Sequence, residues 1–353
     1  MFPKGTFLLA ASSALLTLVA CEQGEEPNAS RDADIEATEI PAEPATVSIA
    51  DTLGTFEGTV GDLAVWQHPS VPFLSAVLAP NGAAGLFLVP VDSSAPTNNE
   101  GVFTGGVAVQ YAESGPLIAA YDGGQGTIRL FSLNEANSTL SEVSSIAAPG
   151  GADALCFGGE TLYAVGEEGN LTAFTVTAED GAAALMDGTK LALTAQDCAS
   201  VTGKAYFLTA EGIVAADDGR IVAQSPADAK GLTGWSLDVG PVFVTLSGEG
   251  TLRIGDLPLE TQGFAGETEN VTFTTIAAGS GNYGGVFRDG LLAAVTSDNE
   301  LVLIPWASIA AAAGVEGRTQ SPRGDRNVAA GAGDLTDIPV IALAPVETRA
   351  PGE

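Results

Sequence analysis

Between residues 73 and 306 the chain repeats one pattern of hydrophobic and polar positions six times. Each repeat has an apolar segment, a short turn rich in Gly, Asn, Asp or Glu, and a second apolar segment. Examples are FLSAVLAPNGAAGLFLVPV from Phe73 and PLIAAYDGGQGTIRLFSL from Pro116; the other repeats begin near Thr161, Lys204, Pro241 and Gly290. Two apolar segments joined by such a turn predict a β-hairpin.

The spacing of these hairpins predicts how they assemble. Successive repeats start 43, 45, 43, 37 and 49 residues apart, and a regular period of this size is typical of four-stranded propeller blades. The segments DALCFGG (153–159) and AQDCASVTG (195–203) then supply inner strands. We predict an all-β fold, a six-bladed β-propeller with four-stranded antiparallel blades over residues 48–313. An open sandwich could hold six hairpins but would not need them at regular spacing.

The N-terminal residues differ from the repeats. Lys4 precedes an apolar run that is too short to span a membrane comfortably, so residues 1–20 are predicted to be a signal peptide. The run ends in Leu18-Val19-Ala20-Cys21, which resembles the bacterial lipobox. This implies cleavage before Cys21 and a lipid anchor on its thiol. Glu22 after the cysteine favours the outer membrane in a Gram-negative host. An ordinary secretory signal is the alternative.

Two further segments lack the hairpin pattern. Residues 21–47 are predicted to form an acidic, disordered tether, because residues 22–44 hold eight acids, one arginine and three prolines. Residues 314–353 form a Pro/Gly-rich tail. The whole chain has 13 basic and 44 acidic residues and a net charge of -31. This excludes nucleic acid and anionic lipid as direct partners and suits cations. We expect a monomer.

Several segments carry a family likeness. DLAVWQHP (62–69), ADALCFGGETLYAVGEEGNLTAFTV (152–176), KGLTGW (230–235) and LVLIPWASIA (301–310) resemble, in unbroken order, segments of the β-propeller phytases. The likeness covers roughly residues 48–313. It implies a calcium-dependent phosphatase acting on inositol hexakisphosphate. In that family, carboxylates at the channel mouth hold calcium ions, which activate a water molecule. Lys, Arg and Tyr side chains hold the other phosphates.

The likeness also implies which residues would bind calcium. The family's Asp-Pro-Ala-Ile-Trp corresponds to residues 62–66. The implied calcium ligands are Asp62, Asp197, Glu211, Asp228 and Asp298. Lys230 replaces a family glutamate, and we expect it to form an ion pair with Asp228. The phosphate-binding positions have also changed, to Asn81, Gly123 and Glu167 among others. No catalytic residue is assigned, and calcium binding is expected to be lost or weak.

His68 is the chain's only histidine. A Ser/His/Asp site is one interpretation of it. The chain has no nucleophile motif, and the family has no catalytic imidazole at this position. We therefore interpret residues 62–69 as a packed strand that carries one candidate ligand, Asp62.

Cys156 and Cys198 lie 42 residues apart, close to one repeat. They should occupy similar places on neighbouring inner strands, in an oxidising compartment. A disulfide requires Cα atoms within about 7 Å. Because neighbouring inner strands diverge away from the propeller axis, two buried free thiols are favoured over a disulfide.

Three functions remain open. The favoured one is a non-catalytic propeller that presents a binding surface at the cell envelope. The alternative is a calcium-dependent phytase, and the third is a different hydrolase that reuses the channel. The carboxylates at the channel mouth separate the first two: five or more would favour the phytase, two or three the binding protein.

Overall fold

The six predicted hairpins assemble into a six-bladed propeller. The computed structural model describes residues 45–179, 182–186, 188–264 and 270–324. Within these ranges, 26 strands form six sheets, and the one α-helix is α1 (Trp306–Ala313). Cys21, the predicted signal peptide, the tether up to residue 44 and the tail from residue 325 lie outside the described residues. No helix among the described residues is long and apolar enough to cross a membrane.

Two short strands precede the first blade: β1 (Ala45–Ser48) and β2 (Asp51–Thr55). Blade 1 consists of β3 (Ala64–Trp66), β4 (Ala76–Pro80), β5 (Leu86–Pro90) and β6 (Thr97–Asn99). Blade 2 consists of β7 (Phe103–Ala112), β8 (Gly115–Asp122), β9 (Thr127–Asn134) and β10 (Thr139–Ala147). Blade 3 consists of β11 (Ala154–Gly158), β12 (Thr161–Val165), β13 (Asn170–Glu179), β14 (Ala182–Leu185) and β15 (Thr189–Thr194). Both β14 and β15 pair with β13.

The second half of the ring repeats the arrangement. Blade 4 consists of β16 (Asp197–Val201), β17 (Lys204–Thr209), β18 (Gly212–Ala215) and β19 (Ile221–Ala223). Blade 5 consists of β20 (Ala229–Leu237), β21 (Gly240–Ser247), β22 (Leu252–Ile254) and β23 (Leu257–Gln262). Blade 6 contains β24 (Phe273–Gly279), β25 (Leu291–Thr296) and β26 (Glu300–Pro305). Its fourth strand is β2, which pairs antiparallel with β26 and closes the ring.

Different strand ends and turns of the blades lie at the two ends of the propeller. Since successive strands run antiparallel, the starts of the six inner strands and the turns of the six hairpins lie at one end, here called the turn face. The inner strands finish at the opposite end. Residues 314–324, here called the arm, follow α1 and pack against that end. Gln320 N–H donates to Ser236 O at 2.7 Å, and Arg323 Nε donates to Gln67 O at 2.8 Å. We call this end the arm face.

Strand β1 also extends the propeller. It pairs in parallel with β23 at the outer edge of blade 5, so the described propeller begins at Ala45 rather than residue 48. Between blades 5 and 6, apolar residues of both sheets pack around Trp235 and Trp306, whose ring centroids lie 4.5 Å apart. Trp66 is fully buried between blades 1 and 2. The core therefore lies between neighbouring blades and leaves the inner strands free to line the channel.

Hydrogen bonds join neighbouring inner strands around the channel. Phe157 N–H donates to Ser200 Oγ between blades 3 and 4, and Ala278 N–H donates to Thr233 Oγ1 between blades 6 and 5, both at 2.7 Å. Gln67 N–H donates to the Tyr111 hydroxyl between blades 1 and 2, also at 2.7 Å. Side-chain hydroxyl groups thus satisfy backbone amides in or next to the inner strands that would otherwise be unpaired.

A disulfide joins Cys156 of β11 to Cys198 of β16, with Cα atoms 5.8 Å apart. The expectation of two free thiols is therefore wrong. These strands are the inner strands of adjacent blades. Inner strands diverge with distance from the axis, but at the level of the two cysteines they are still close enough for a disulfide. Both cysteines are buried.

Candidate functional site

The channel contains two cavities that meet at Asp62. The larger, of about 400 Å³, runs from Asp62 to the arm face. The smaller, of about 190 Å³, lies at the turn face and is lined by Asp62, Asp153, Asp197 and Lys230 among others. Three carboxylates therefore line this mouth.

Asp62 lies just before β3 and accepts hydrogen bonds from backbone amides. Leu63 N–H donates to Oδ1 at 2.7 Å, and the carboxyl also accepts from the amides of Val107 in blade 2 and Leu155 in blade 3. Burial raises the pKa of Asp62 well above its usual range, and the charge of Asp197 raises it further. The amide hydrogen bonds oppose this shift only in part.

Asp197 is the first residue of β16. Its Oδ1 accepts from Cys198 N–H at 2.7 Å, and its Oδ2 accepts from Leu232 N–H of blade 5. Burial raises the pKa of Asp197 to about 7, against these hydrogen bonds. The two carboxyls therefore hold fewer than two negative charges at neutral pH. Together they accept hydrogen bonds from the inner strands of blades 2, 3 and 5.

The other three predicted ligands also lie at the turn face but away from the channel. Glu211 lies in the β17–β18 turn, Asp228 just before β20, and Asp298 in the β25–β26 turn. All three are exposed, and none lines either channel cavity. Among the described residues, no three His, Cys, Asp or Glu side chains are grouped so as to hold a metal ion.

Asp153 was missed as a mouth carboxylate. It immediately precedes β11, as Asp62 and Asp197 stand at or near the starts of their own inner strands. Because the three residues have similar positions in their blades, their carboxylates lie at the same level of the channel.

Lys230 does not form the expected ion pair. Its Nζ lies 3.5 Å from Gly248 O, and no Lys230–Asp228 salt bridge is present in the described part of the chain. That expectation is wrong because Asp228 lies outside β20 and the register of β20 against β21 shifts between Ala229 and Gly231, so strand alternation does not place the two side chains on the same side. Lys230 lines the mouth, whereas Asp228, two positions earlier and outside β20, is turned into solvent.

His68 packs at the arm face. Its Nδ1 accepts from Ser70 N–H at 3.1 Å and Val71 N–H at 2.9 Å, so the ring proton lies on Nε2, 3.2 Å from Glu135 O. Burial lowers the pKa of His68 and favours this neutral form. Both ring nitrogens thus have backbone partners, as expected for a structural histidine.

The fold and the site define a six-bladed β-propeller whose channel is divided by a half-buried pair of aspartates. No family model matches the chain, and no curated protein sequence matches it. Among solved structures it is similar to BBS1N in complex with ARL6DN, soaked with mercury, at 14% identity and a TM-score of 0.41, covering 70% of this chain and 78% of that chain. A form of that complex soaked with lead gives 13% identity, a TM-score of 0.32, and coverage of 70% and 62%.

Proposed function

We propose that the protein is a phytase-like β-propeller that binds a ligand or partner at the cell envelope without hydrolysing phosphate esters. One observation carries this proposal: Asp62 and Asp197, the two predicted calcium ligands that reach the channel, accept backbone hydrogen bonds and have raised pKa values. Calcium binds ionised carboxylates with free oxygen lone pairs. These two carboxyls do not fit such a site.

The surroundings of the mouth support the same function. Lys230 is the one basic residue among those lining the smaller cavity. The phosphate-binding positions implied by the family likeness hold Asn81, Gly123 and Glu167, and none of these carries a positive charge. A polyphosphate substrate would meet three aspartates and one lysine, so its binding there is unfavourable.

A calcium and phytate assay tests this function. The full chain is titrated with millimolar calcium by calorimetry and then incubated with phytate near neutral pH. We expect no calcium binding at the turn face and no phosphate release. Phosphate release that a chelator abolishes would overturn the proposal and establish the calcium-dependent phytase.

Variants at Lys230 sharpen the test. Lys230→Glu restores the carboxylate that the family has, and Lys230→Gln removes the ammonium group without adding a charge. We expect calcium binding to strengthen in Lys230→Glu and not in Lys230→Gln. Equal calcium binding by all three proteins would show that Lys230 has no bearing on the metal site.

The cellular location is a second part of the proposal. The lipobox-like Leu18-Val19-Ala20-Cys21 supports a lipid anchor at Cys21 and a place at the outer membrane. Intact-mass analysis of the protein from membranes should give an acylated chain that begins at Cys21. Cys21→Ser should abolish both the acylation and the membrane fractionation; an unchanged distribution would favour an ordinary secretory signal.

A further inference from the structure

Three exposed apolar side chains lie together on the arm face, and we call them the apolar patch. Phe73 and Leu74 belong to the β3–β4 turn of blade 1, and Val286 belongs to the β24–β25 turn of blade 6. Phe73 is 54% exposed, Leu74 38% and Val286 62%. Adjacent exposed apolar side chains typically mark an interaction surface, whereas scattered ones do not.

The two turns that carry the patch contact each other and are held by hydrogen bonds. Gln67 Nε2 of the first turn donates to Asn282 O of the second at 3.1 Å. A Cβ atom at Gly284 would lie 3.8 Å from Phe73 Cβ, which is van der Waals contact. His68 Nδ1 accepts from two backbone amides of its own turn and fixes its shape. The patch is therefore a defined surface formed by two blades.

The same turns differ in charge from the rest of the chain. Residues 67–75 and 280–288 contain no Asp or Glu, although the chain has 44 acidic residues. With His68 neutral, the one charged side chain in these turns is that of Arg288, which is exposed. This part of the surface can therefore enter an apolar environment without the desolvation of a carboxylate.

The N-terminal chain leaves the propeller at the same end. Because successive strands of blade 5 are antiparallel, β23 runs from the arm face to the turn face, and β1 is parallel to it. Ala45 is therefore at the arm-face end of β1. A lipid on Cys21 would be joined to the propeller through this end.

We propose that the arm face lies on a lipid bilayer, with Phe73, Leu74 and Val286 inserted among zwitterionic headgroups. Exposed Phe and Leu side chains bind the membrane interface through their apolar area, and the net charge of -31 disfavours anionic headgroups. In this orientation the turn-face mouth points away from the membrane and is open to partners.

The size of the patch favours a bilayer over a second copy of the chain. A stable protein interface buries roughly 20–30 residues on each side, and the patch has only three. A small patch is enough at a membrane, because a tether anchored at Cys21 would keep it at an effective concentration of about millimolar order. This last step depends on the lipid anchor of the proposed function, whereas the patch itself does not.

A fluorescent label beside the patch tests the contact. Ser70→Cys, exposed in the β3–β4 turn, accepts an environment-sensitive fluorophore and leaves the patch intact. The full acylated chain is reconstituted in phosphatidylcholine vesicles that contain nitroxide-labelled lipid. We expect quenching of the label at position 70. Val102→Cys is the matched control, because Val102 is 39% exposed and lies at the turn face, and its label should not be quenched.

The double variant Phe73→Ser/Val286→Ser removes most of the patch and should lose most of the quenching at position 70, while the protein still floats with the vesicles. Val102→Ser should leave the quenching unchanged. Equal quenching at both ends of the propeller, no quenching at position 70 in a protein that floats, or full quenching in the double variant would overturn the proposal.

A second measurement separates the patch from the anchor. The Cys21→Ser chain cannot be acylated, so its label at position 70 reports on the patch alone. Phe73→Ser/Val286→Ser should raise the lipid concentration for half-maximal quenching by about tenfold or more in this background. Intact mass shows separately whether the parent is acylated, so a missing lipid would refute the anchor and not the patch. Self-association without vesicles that the double variant abolishes would assign the patch to a second copy and overturn the proposal.

Discussion

Asp62 and Asp197 come from blades 1 and 4, on opposite sides of the six-bladed ring, and the charge of Asp197 still raises the pKa of Asp62. Between them the two carboxyls accept amide hydrogen bonds from residues of blades 2, 3 and 5. The pair thus connects five of the six blades at one level of the channel. A metal ion at this level would compete with those amides for the same oxygen atoms.

The protonation of this pair predicts a pH-dependent stability. The pKa of Asp197 is about 7 in the fold and about 3.9 in an unfolded chain. Between these values the folded protein keeps a proton that the unfolded chain has released. Its free energy of unfolding should therefore fall as the pH rises from about 4 to 7, by up to about 1.4 kcal/mol per pH unit from this group.

Urea denaturation across this pH range measures the slope of the free energy of unfolding against pH. Asp197→Asn cannot ionise and should have a shallower slope than the parent protein. Asp228→Asn, which changes an exposed aspartate of the same face, should leave the slope unchanged. If Asp197→Asn and the parent had the same slope, Asp197 would not be the group responsible.

The disulfide should contribute strongly to stability. Cys156 and Cys198 close a loop across 42 residues, and a cross-link of this length typically contributes about 2–4 kcal/mol. Reductant should therefore lower the melting temperature of the parent protein. The Cys156→Ala/Cys198→Ala double variant should melt lower than the oxidised parent and show no response to reductant; a response would point to another redox-sensitive group.

The arm should stabilise the propeller through Arg323. The Arg323 guanidinium forms an ion pair with Glu135, donates to Gln67 O and lies 4.7 Å over the Tyr111 ring. Its side chain is 12% exposed, so Arg323→Ala should lower the free energy of unfolding by about 1–3 kcal/mol. Arg318→Ala is the control, because the Arg318 side chain is exposed. Equal urea midpoints for the two variants would show that the Arg323 contacts contribute little.

Close approach of the inner strands predicts one glycine-specific effect. A Cβ atom at Gly106 would lie 2.4 Å from the Leu155 amide nitrogen in the next blade. Gly106→Ala should therefore destabilise the protein by about 1–3 kcal/mol, as overpacking does. At Gly248 the nearest atom would lie 3.7 Å away, so Gly248→Ala should have little effect. Thermal melting of both variants checks the difference.

The sequence predicted the hairpins well because they are local. The apolar segments from Phe73 and Pro116 became β4–β5 and β8–β9, and the other four hairpins formed likewise. Contacts between distant segments were not predictable in this way. No local pattern indicates that β2 pairs with β26, that β1 adds to blade 5, or that the arm reaches Gln67.

The candidate site shows the same difference between features that the sequence predicts and features that depend on the fold. The family likeness implied that Asp62 and Asp197 lie at the channel mouth, and both line it. Whether a carboxyl faces the axis or solvent depends on strand register and turn geometry, which the sequence does not specify at Glu211, Asp228 or Asp298. The contact between the turns that carry Phe73 and Val286 depends on packing between blades, and neither periodicity nor family likeness indicates it.

Closure of the ring by β2 sets an order of events during synthesis. Strand β2 leaves the ribosome before any blade exists, yet its partner β26 is among the last strands to be made. At about 5–20 residues per second, the intervening chain takes roughly 10–50 s to translate. During that time the edge of β2 that later pairs with β26 is unpaired. In such a nascent chain β2 can pair with any other unpaired strand that it meets.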